Sequence, residues 1–266
     1  MIRSLVSLTV FFVLMGFALP SQAQQIEGVA PDNTVTCSFN FSAGSGDKLL
    51  KFCVTVNGNI TQLETPAGQE FIEKGTFGEG YGICNETPAT VYSDYAGDGD
   101  SGNWNPPTTL SSSATSVKIA RTTSDGIWTL TQTFTLDKAT PAVKIAMALK
   151  NNTLATRKAY LVRYADVDAA GGSTNDFDGT ANSAFGWNST TGVLDGAGLM
   201  LKNTGARWSF TNGFGETTFH GPNPCAFENN WPGHIVMNTD GSIVLVYADN
   251  IGAGKTKTAT MVYRGM

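Results

Sequence analysis

The most regular stretch of the chain is Trp128–Leu136, where Trp128, Leu130, Gln132, Phe134 and Leu136 alternate with Thr129, Thr131, Thr133 and Thr135. A two-residue period marks a strand buried on one face, with a threonine face turned outward. Asp137–Pro141 breaks it. A second strand places Val143, Ile145, Met147 and Leu149 on its apolar face, with Lys144 and Lys150 opposite. Tyr160–Asp168 reads as a third, and the three together as an antiparallel meander. Ser242–Ala248 is apolar on both faces, as expected of a central strand covered on both sides. Lys257–Tyr263 is a last strand, joined to it by Asp249–Gly254 read as a hairpin connection.

The N-terminal part follows the same pattern. Val35–Phe41 and Leu49–Val56 flank Gly44-Ser45-Gly46. A three-residue hairpin loop wants glycine at its left-handed position. In that register paired residue numbers sum to about 90, which sets Cys37 opposite Cys53. By elimination Cys84 joins Cys225. Helical periodicity is nearly absent beyond the first residues. The expectation is an all-β chain: a large, mainly antiparallel two-sheet β-sandwich of more than about ten strands.

The start of the chain differs. Arg3 precedes the apolar run Leu5–Leu19, followed by Pro20 and Ser21-Gln22-Ala23. A basic segment, a short apolar core and small residues at the cut are the marks of a secretory signal peptide. Residues 1–23 are read as that signal and 24–266 as a single β-sandwich domain. Export, to the periplasm or outside the cell, is an oxidising destination where Cys37, Cys53, Cys84 and Cys225 form disulfides. No CxxC spacing supports a thiol-redox motif or a zinc ribbon.

Composition narrows the partners. The chain has 17 basic and 22 acidic residues. Removing the signal takes one basic residue, leaving 16 − 22 = −6. That balance opposes nucleic acid, whose binding depends on Lys and Arg neutralising phosphates, and anionic membrane surfaces. A hydrophobic content of 41% is too high for disorder. The size and the meanders resemble, at fold level only, the broad sandwiches of galactose-mutarotase-like and polysaccharide-lyase proteins. No catalytic motif of those families can be matched.

Three long irregular stretches, Tyr95–Ser113, Ala169–Asn182 and Thr211–Gly233, carry the candidate chemistry. Trp104 and Asp100 lie in the first, Trp187 follows the second, and Trp231 lies in the third. Tryptophan faces stack on sugar rings, and loop carboxylates accept hydroxyl protons. These four form the expected ligand site. Asp166 and Asp168, with Asp176 and Asp178 and nearby Asn175, form a candidate calcium site, although turn chemistry is the more ordinary reading of such aspartates. His220 and His234 flank a loop holding Cys225 and Glu228, in no familiar metal spacing. Arg121 and Arg163 lie in strands and read as structural ties to carboxylates. A catalytic pairing of Arg163 with Asp168 or Glu79 is the alternative. The leading functional expectation is an exported carbohydrate-recognition or sugar-acting accessory protein taking a glycan or another small neutral ligand. The alternatives are a hydrolase, lyase or epimerase working through loop carboxylates, and a non-catalytic structural or adhesive envelope protein.

Overall fold

A computed structural model describes residues 36–72, 78–188, 198–216, 221–226 and 236–266. The expected signal peptide lies outside the described residues. The chain forms β1 (Phe39–Ala43), β2 (Leu50–Val54), β3 (Ile60–Glu64), β4 (Glu79–Asn85), β5 (Thr90–Tyr95) and β6 (Gly99–Asp100). It continues through β7 (Thr108–Ser112), β8 (Ser116–Thr122), β9 (Trp128–Asp137), β10 (Ala142–Asn151), β11 (Arg157–Asp166) and β12 (Asn175–Thr180). It ends with β13 (Ser183–Asn188), β14 (Gly198–Asn203), β15 (Phe210–Glu216), β16 (Val236–Thr239), β17 (Ser242–Ile251) and β18 (Thr256–Gly265). Helix among the described residues is limited to the 3₁₀ turns Gly46–Lys48 and Ala169–Gly171.

Two antiparallel sheets make the sandwich. One has nine strands in the order β16-β12-β13-β14-β18-β10-β9-β8-β7. The other has six, in the order β15-β17-β11-β4-β5-β6. The expected all-β, two-sheet sandwich is thus the observed fold. The alternation of β9 is the reason it can sit in the larger sheet: its even positions are fully or nearly buried and its threonines half-exposed. Its apolar face meets Leu161 and Ala165 of β11 and Leu245 of β17 in one continuous core. Each such aliphatic side chain contributes roughly 1.5–3 kcal/mol when buried.

β1, β2 and β3 form a third, small sheet. Phe41, Leu50, Phe52, Ile60 and Leu63 join the main core. Both expected disulfides are present. Cys37–Cys53 closes a separation of 16 residues and Cys84–Cys225 one of 141. On a chain-entropy model these contribute about 3 and about 5 kcal/mol.

Three expectations are corrected. Asn40, not Cys37, pairs with Cys53, so paired numbers sum to 40 + 53 = 93. The 3₁₀ turn Gly46–Lys48 lengthens the connection, and Cys37 reaches Cys53 from just before β1. β11 does not continue the β9–β10 meander; β10 takes β18 as its second neighbour, and β11 crosses to the other sheet between β17 and β4. For the same reason Asp249–Gly254 links two sheets and is no hairpin. β17 is nonetheless central and buried, between β15 and β11.

Candidate functional site

β11 carries polar groups on both faces, and the two faces differ in one respect. Inward, Arg163 is fully buried. Its Nε donates to Glu79 Oε1, and its Nη2 donates to Glu79 Oε2 at 2.6 Å. Nη1 donates to Gln132 Oε1 at 2.6 Å and Nη2 also to the Gly58 carbonyl at 3.2 Å. Glu79 accepts further from the Ile60 amide at 2.7 Å and the Tyr263 hydroxyl at 3.1 Å. Burial raises the Glu79 carboxyl to about 7, against the pull of Arg163. A bidentate pair with every remaining lone pair filled has no position left for a ligand.

The turn between β2 and β3 closes this network. The Asn57 carbonyl accepts from the Tyr81 hydroxyl at 2.8 Å, and Asn59 Nδ2 donates to the Asp94 carbonyl at 2.9 Å. Gly58 has φ +92°, and a side chain there would collide with Gln132. Only glycine takes that conformation at that approach without strain.

Arg121 extends the network toward the first loop. It pairs with Asp94 and, at 2.8 Å, with Asp100. Burial raises the Asp94 carboxyl to about 6; Arg121 opposes the shift and Asp100 adds to it. The Arg121 guanidinium lies 5.1 Å from the centre of the Trp104 ring. Trp104 is only 8% exposed. Its ring packs edge-on against Tyr81 and Tyr92 at 5.7 and 6.1 Å, and its Nε1 donates to the Ser93 carbonyl. The reading of Trp104 as an open stacking face is therefore corrected: three strands cover it. Asp100 is spent on Arg121 and on the Gly102 amide.

Outward, β11 presents Tyr160, Val162, Tyr164 and Asp166, of which the first three join a second apolar cluster with Cys84, Tyr95, Phe214 and Val244. Asp166 Oδ1 is buried without a hydrogen-bond partner among the described residues, and the buried Tyr164 hydroxyl has the Ser242 side chain beside it. Their neighbours are set by register. Ser242 pairs with Asp166 and with Glu216, and Gly80 pairs with both Tyr164 and Tyr95. A side chain at position 80 would strike the Tyr95 ring, so glycine there lets Tyr95 meet Tyr164 edge-on at 5.3 Å. The Tyr95 hydroxyl donates to the Pro222 carbonyl, within the segment that Cys84–Cys225 ties across this face.

Burial raises the Asp166 carboxyl to about 8, and the charges of Asp168 and Asp240 add to the shift. Burial likewise lifts the Tyr164 phenol well above its usual range, with Asp166 contributing. Asp98 and Asp240 are exposed and Asp168 and Glu216 half-buried, so carboxylates border this end of the sheet. The arrangement can hold a hydroxyl-rich ligand through an unfilled acceptor, and it holds a protonated carboxyl among charged ones.

The four candidate calcium aspartates are not brought together. Asp166 belongs to the six-stranded sheet, whereas Asp176 and Asp178 lie on β12 of the other. Asp176 accepts from the Asn238 amide at 2.7 Å and Asp178 from the Gly179 amide at 2.6 Å. These are the backbone bonds of the turn-chemistry reading. Among the described residues no three His, Cys, Asp or Glu side chains form a metal group. Trp187 is half-buried on β13, with four strands between it and β8, beside which Trp104 bridges to Thr123. At about 4.8 Å per strand the two tryptophans cannot share one pocket. Trp231, His220, Glu228 and His234 lie outside the described residues. Tyr164, Ser242 and Asp240 were not singled out from sequence. The available signal was a carboxylate continuing the tyrosine-bearing face Tyr160, Val162, Tyr164.

No protein-family model and no curated protein matches the chain. Solved structures do. A bacterial glucoamylase complexed with acarbose has a TM-score of 0.56 at 10% identity, over 87% of this chain and 32% of its own. A putative aldose 1-epimerase from Escherichia coli gives 0.48 at 12% identity, over 86% of this chain and 99% of its own. A galactose mutarotase-like protein from Lactobacillus casei gives 0.49 at 9%, over 86% and 100%. The likeness is one of fold. The chain shares a β-sandwich fold with about a third of the glucoamylase.

Two outcomes follow. Trp104→Ala should cost about 3–5 kcal/mol of stability, as for a core tryptophan; a loss below about 1 kcal/mol in denaturant unfolding would return the ring to the surface. Asp166 rises from 3.8 to about 8 on folding. The native state then keeps a proton that the unfolded chain releases, so this contribution is complete at low pH and is lost as pH rises toward 8. Asp166→Asn should flatten the melting temperature between about pH 4 and 8 and raise it at pH 8. Identical pH slopes in the two proteins would contradict the assignment.

Proposed function

We propose that the protein is an exported carbohydrate-recognition protein that takes a neutral glycan at the Tyr164–Asp166 end of the six-stranded sheet. The observation that carries the reading is Asp166 Oδ1, buried and without a hydrogen-bond partner among the described residues, on the same face of β11 as the Tyr164 hydroxyl. A buried polar group without a partner is costly, and a sugar hydroxyl relieves it. The bordering carboxylates accept further hydroxyl protons. The sandwich itself is of a kind found in sugar-processing enzymes, which supports a sugar as ligand by analogy of fold. Two disulfides agree with an oxidising compartment. Among the described residues no helix is long and apolar enough to cross a membrane.

One observation favours an enzyme as the second reading. A carboxyl held protonated to about pH 8 beside other carboxylates is equipped to donate a proton to a leaving oxygen. Asp166 would be that donor, with Asp168 or Asp240 as the base.

A glycan array followed by calorimetry tests the site. A neutral oligosaccharide should bind, and Tyr164→Phe should weaken it about tenfold, the equivalent of one lost hydrogen bond to a buried group, with an unchanged melting temperature. No bound glycan, or equal affinity in the variant, would remove the reading. Turnover of the bound sugar, lost in Asp166→Asn, would put the enzyme in place of the binding protein.

A further inference from the structure

The outward face of the nine-stranded sheet is unlike the rest of the molecule. Its middle strands, β8, β9, β10, β18 and β14, are in continuous register. On β9 the outward positions are Thr129, Thr131, Thr133 and Thr135, and their neighbours on β10 include Ala146 and Ala148. No aromatic side chain stands among them. The charges on this patch are Lys118, Lys144, Lys150, Lys202 and Arg264, all exposed. The one acid is Asp137, which pairs with Lys144 at 2.8 Å. The other four cations have no ion pair among the described residues.

The whole chain has 17 basic and 22 acidic residues. The patch holds 5 − 1 = +4, which leaves 12 − 21 = −9 for everything else. Positive charge is therefore concentrated on the middle strands of this face, with Asp176 and Asp178 two strands beyond them on β12. The cations are also ordered. Lys202 and Lys144 stand in one row, separated by Val262 of β18. Lys118 stands two strands beyond Lys144 and one row over. With strands about 4.8 Å apart, successive cations along this line are roughly 10–12 Å from one another. The line crosses the strands, over a floor of hydroxyl and methyl groups.

We infer that this face docks an extended acidic polysaccharide, a polyuronate-like chain lying across the strands with its carboxylates on Lys118, Lys144 and Lys202 and its hydroxyls on the β9 threonines. Charge complementarity chooses an anionic polymer. The small, aromatic-free floor chooses among the anionic polymers. Single-stranded nucleic acid is held by base stacking on aromatic rings, and none stands on these five strands; Phe185 and Trp187 of β13, beyond them, are half-buried. A peripheral membrane anchor needs large exposed apolar side chains to insert, and the largest apolar side chain on these five strands, Met200 of β14, is half-buried. The surface lies on the opposite sheet from Tyr164 and Asp166, so its fate does not depend on theirs.

Polygalacturonate is the probe, measured by affinity electrophoresis and calorimetry against dextran, anionic phosphatidylglycerol vesicles and oligo-dT. Polygalacturonate should be preferred, and its affinity should fall steeply with salt. Lys118→Gln with Lys202→Gln should lose on the order of twentyfold in affinity, about fivefold per cation, with no change in melting temperature. Tyr164→Phe should bind polygalacturonate like the parent. The inference fails if the double variant binds as well as the parent, if no polyuronate binds, or if vesicles or oligo-dT bind more tightly.

Discussion

Between the sheets, the guanidinium of Arg163 sits fully buried with its charge met by Glu79. Everything near it is placed by that contact. Gln132 fixes β9, Tyr263 fixes β18, and the Gly58 carbonyl and the Ile60 amide hold the β2–β3 turn against both sheets. The pair is not by itself a large gain, because two ions leave water to form it. Its value is positional. Either charge alone would be stranded in an apolar interior, so only the arrangement that joins all these elements is tolerated. Arg121, with Asp94 and Asp100, repeats the device one sheet edge away and pulls Trp104 inward beneath it.

The Arg163–Glu79 network is saturated. β11 turns Arg163 inward and Tyr164 and Asp166 outward, and only the inward side is fully satisfied. The contrast follows from the neighbours. Inward, a glycine turn supplies backbone carbonyls at short range. Outward, the facing positions are Gly80 and Val244, which carry no polar side chain, and Ser242. The long disulfide from Cys84 ties Cys225 to this side of the sheet, where the Tyr95 hydroxyl donates to the Pro222 carbonyl.

Periodicity carried much of the fold. β9 and β10 could be read with their faces assigned because one side meets the core and the other meets water. Periodicity does not name a strand's partner, which is why β11 and β18 were assigned to the wrong neighbours. Cysteine pairing survived a three-residue error in register because the bond needs proximity, not direct opposition. The site was less legible. Trp104 sits in a run of glycine, asparagine and proline that looks solvent-exposed, yet it is covered by Tyr81, Tyr92 and Arg121, distant in sequence. Asp166 and Asp168 are grouped with Asp176 and Asp178 by spacing alone; Asp166 lies on the six-stranded sheet, Asp168 beyond it, and Asp176 and Asp178 on β12 of the other sheet. That a carboxylate on β11 lacks a partner is a property of three strands at once, which no local pattern contains.

The account rests on a closed, position-fixing interior, and Glu79→Gln tests it most directly. The substitution keeps the shape of the side chain and removes the charge that meets Arg163. Denaturant unfolding should show a loss of about 3–5 kcal/mol, the cost of leaving one buried charge unmatched. A loss under about 1 kcal/mol, with the fold intact, would mean that Arg163 finds its balance elsewhere and that the interior is not built around this pair.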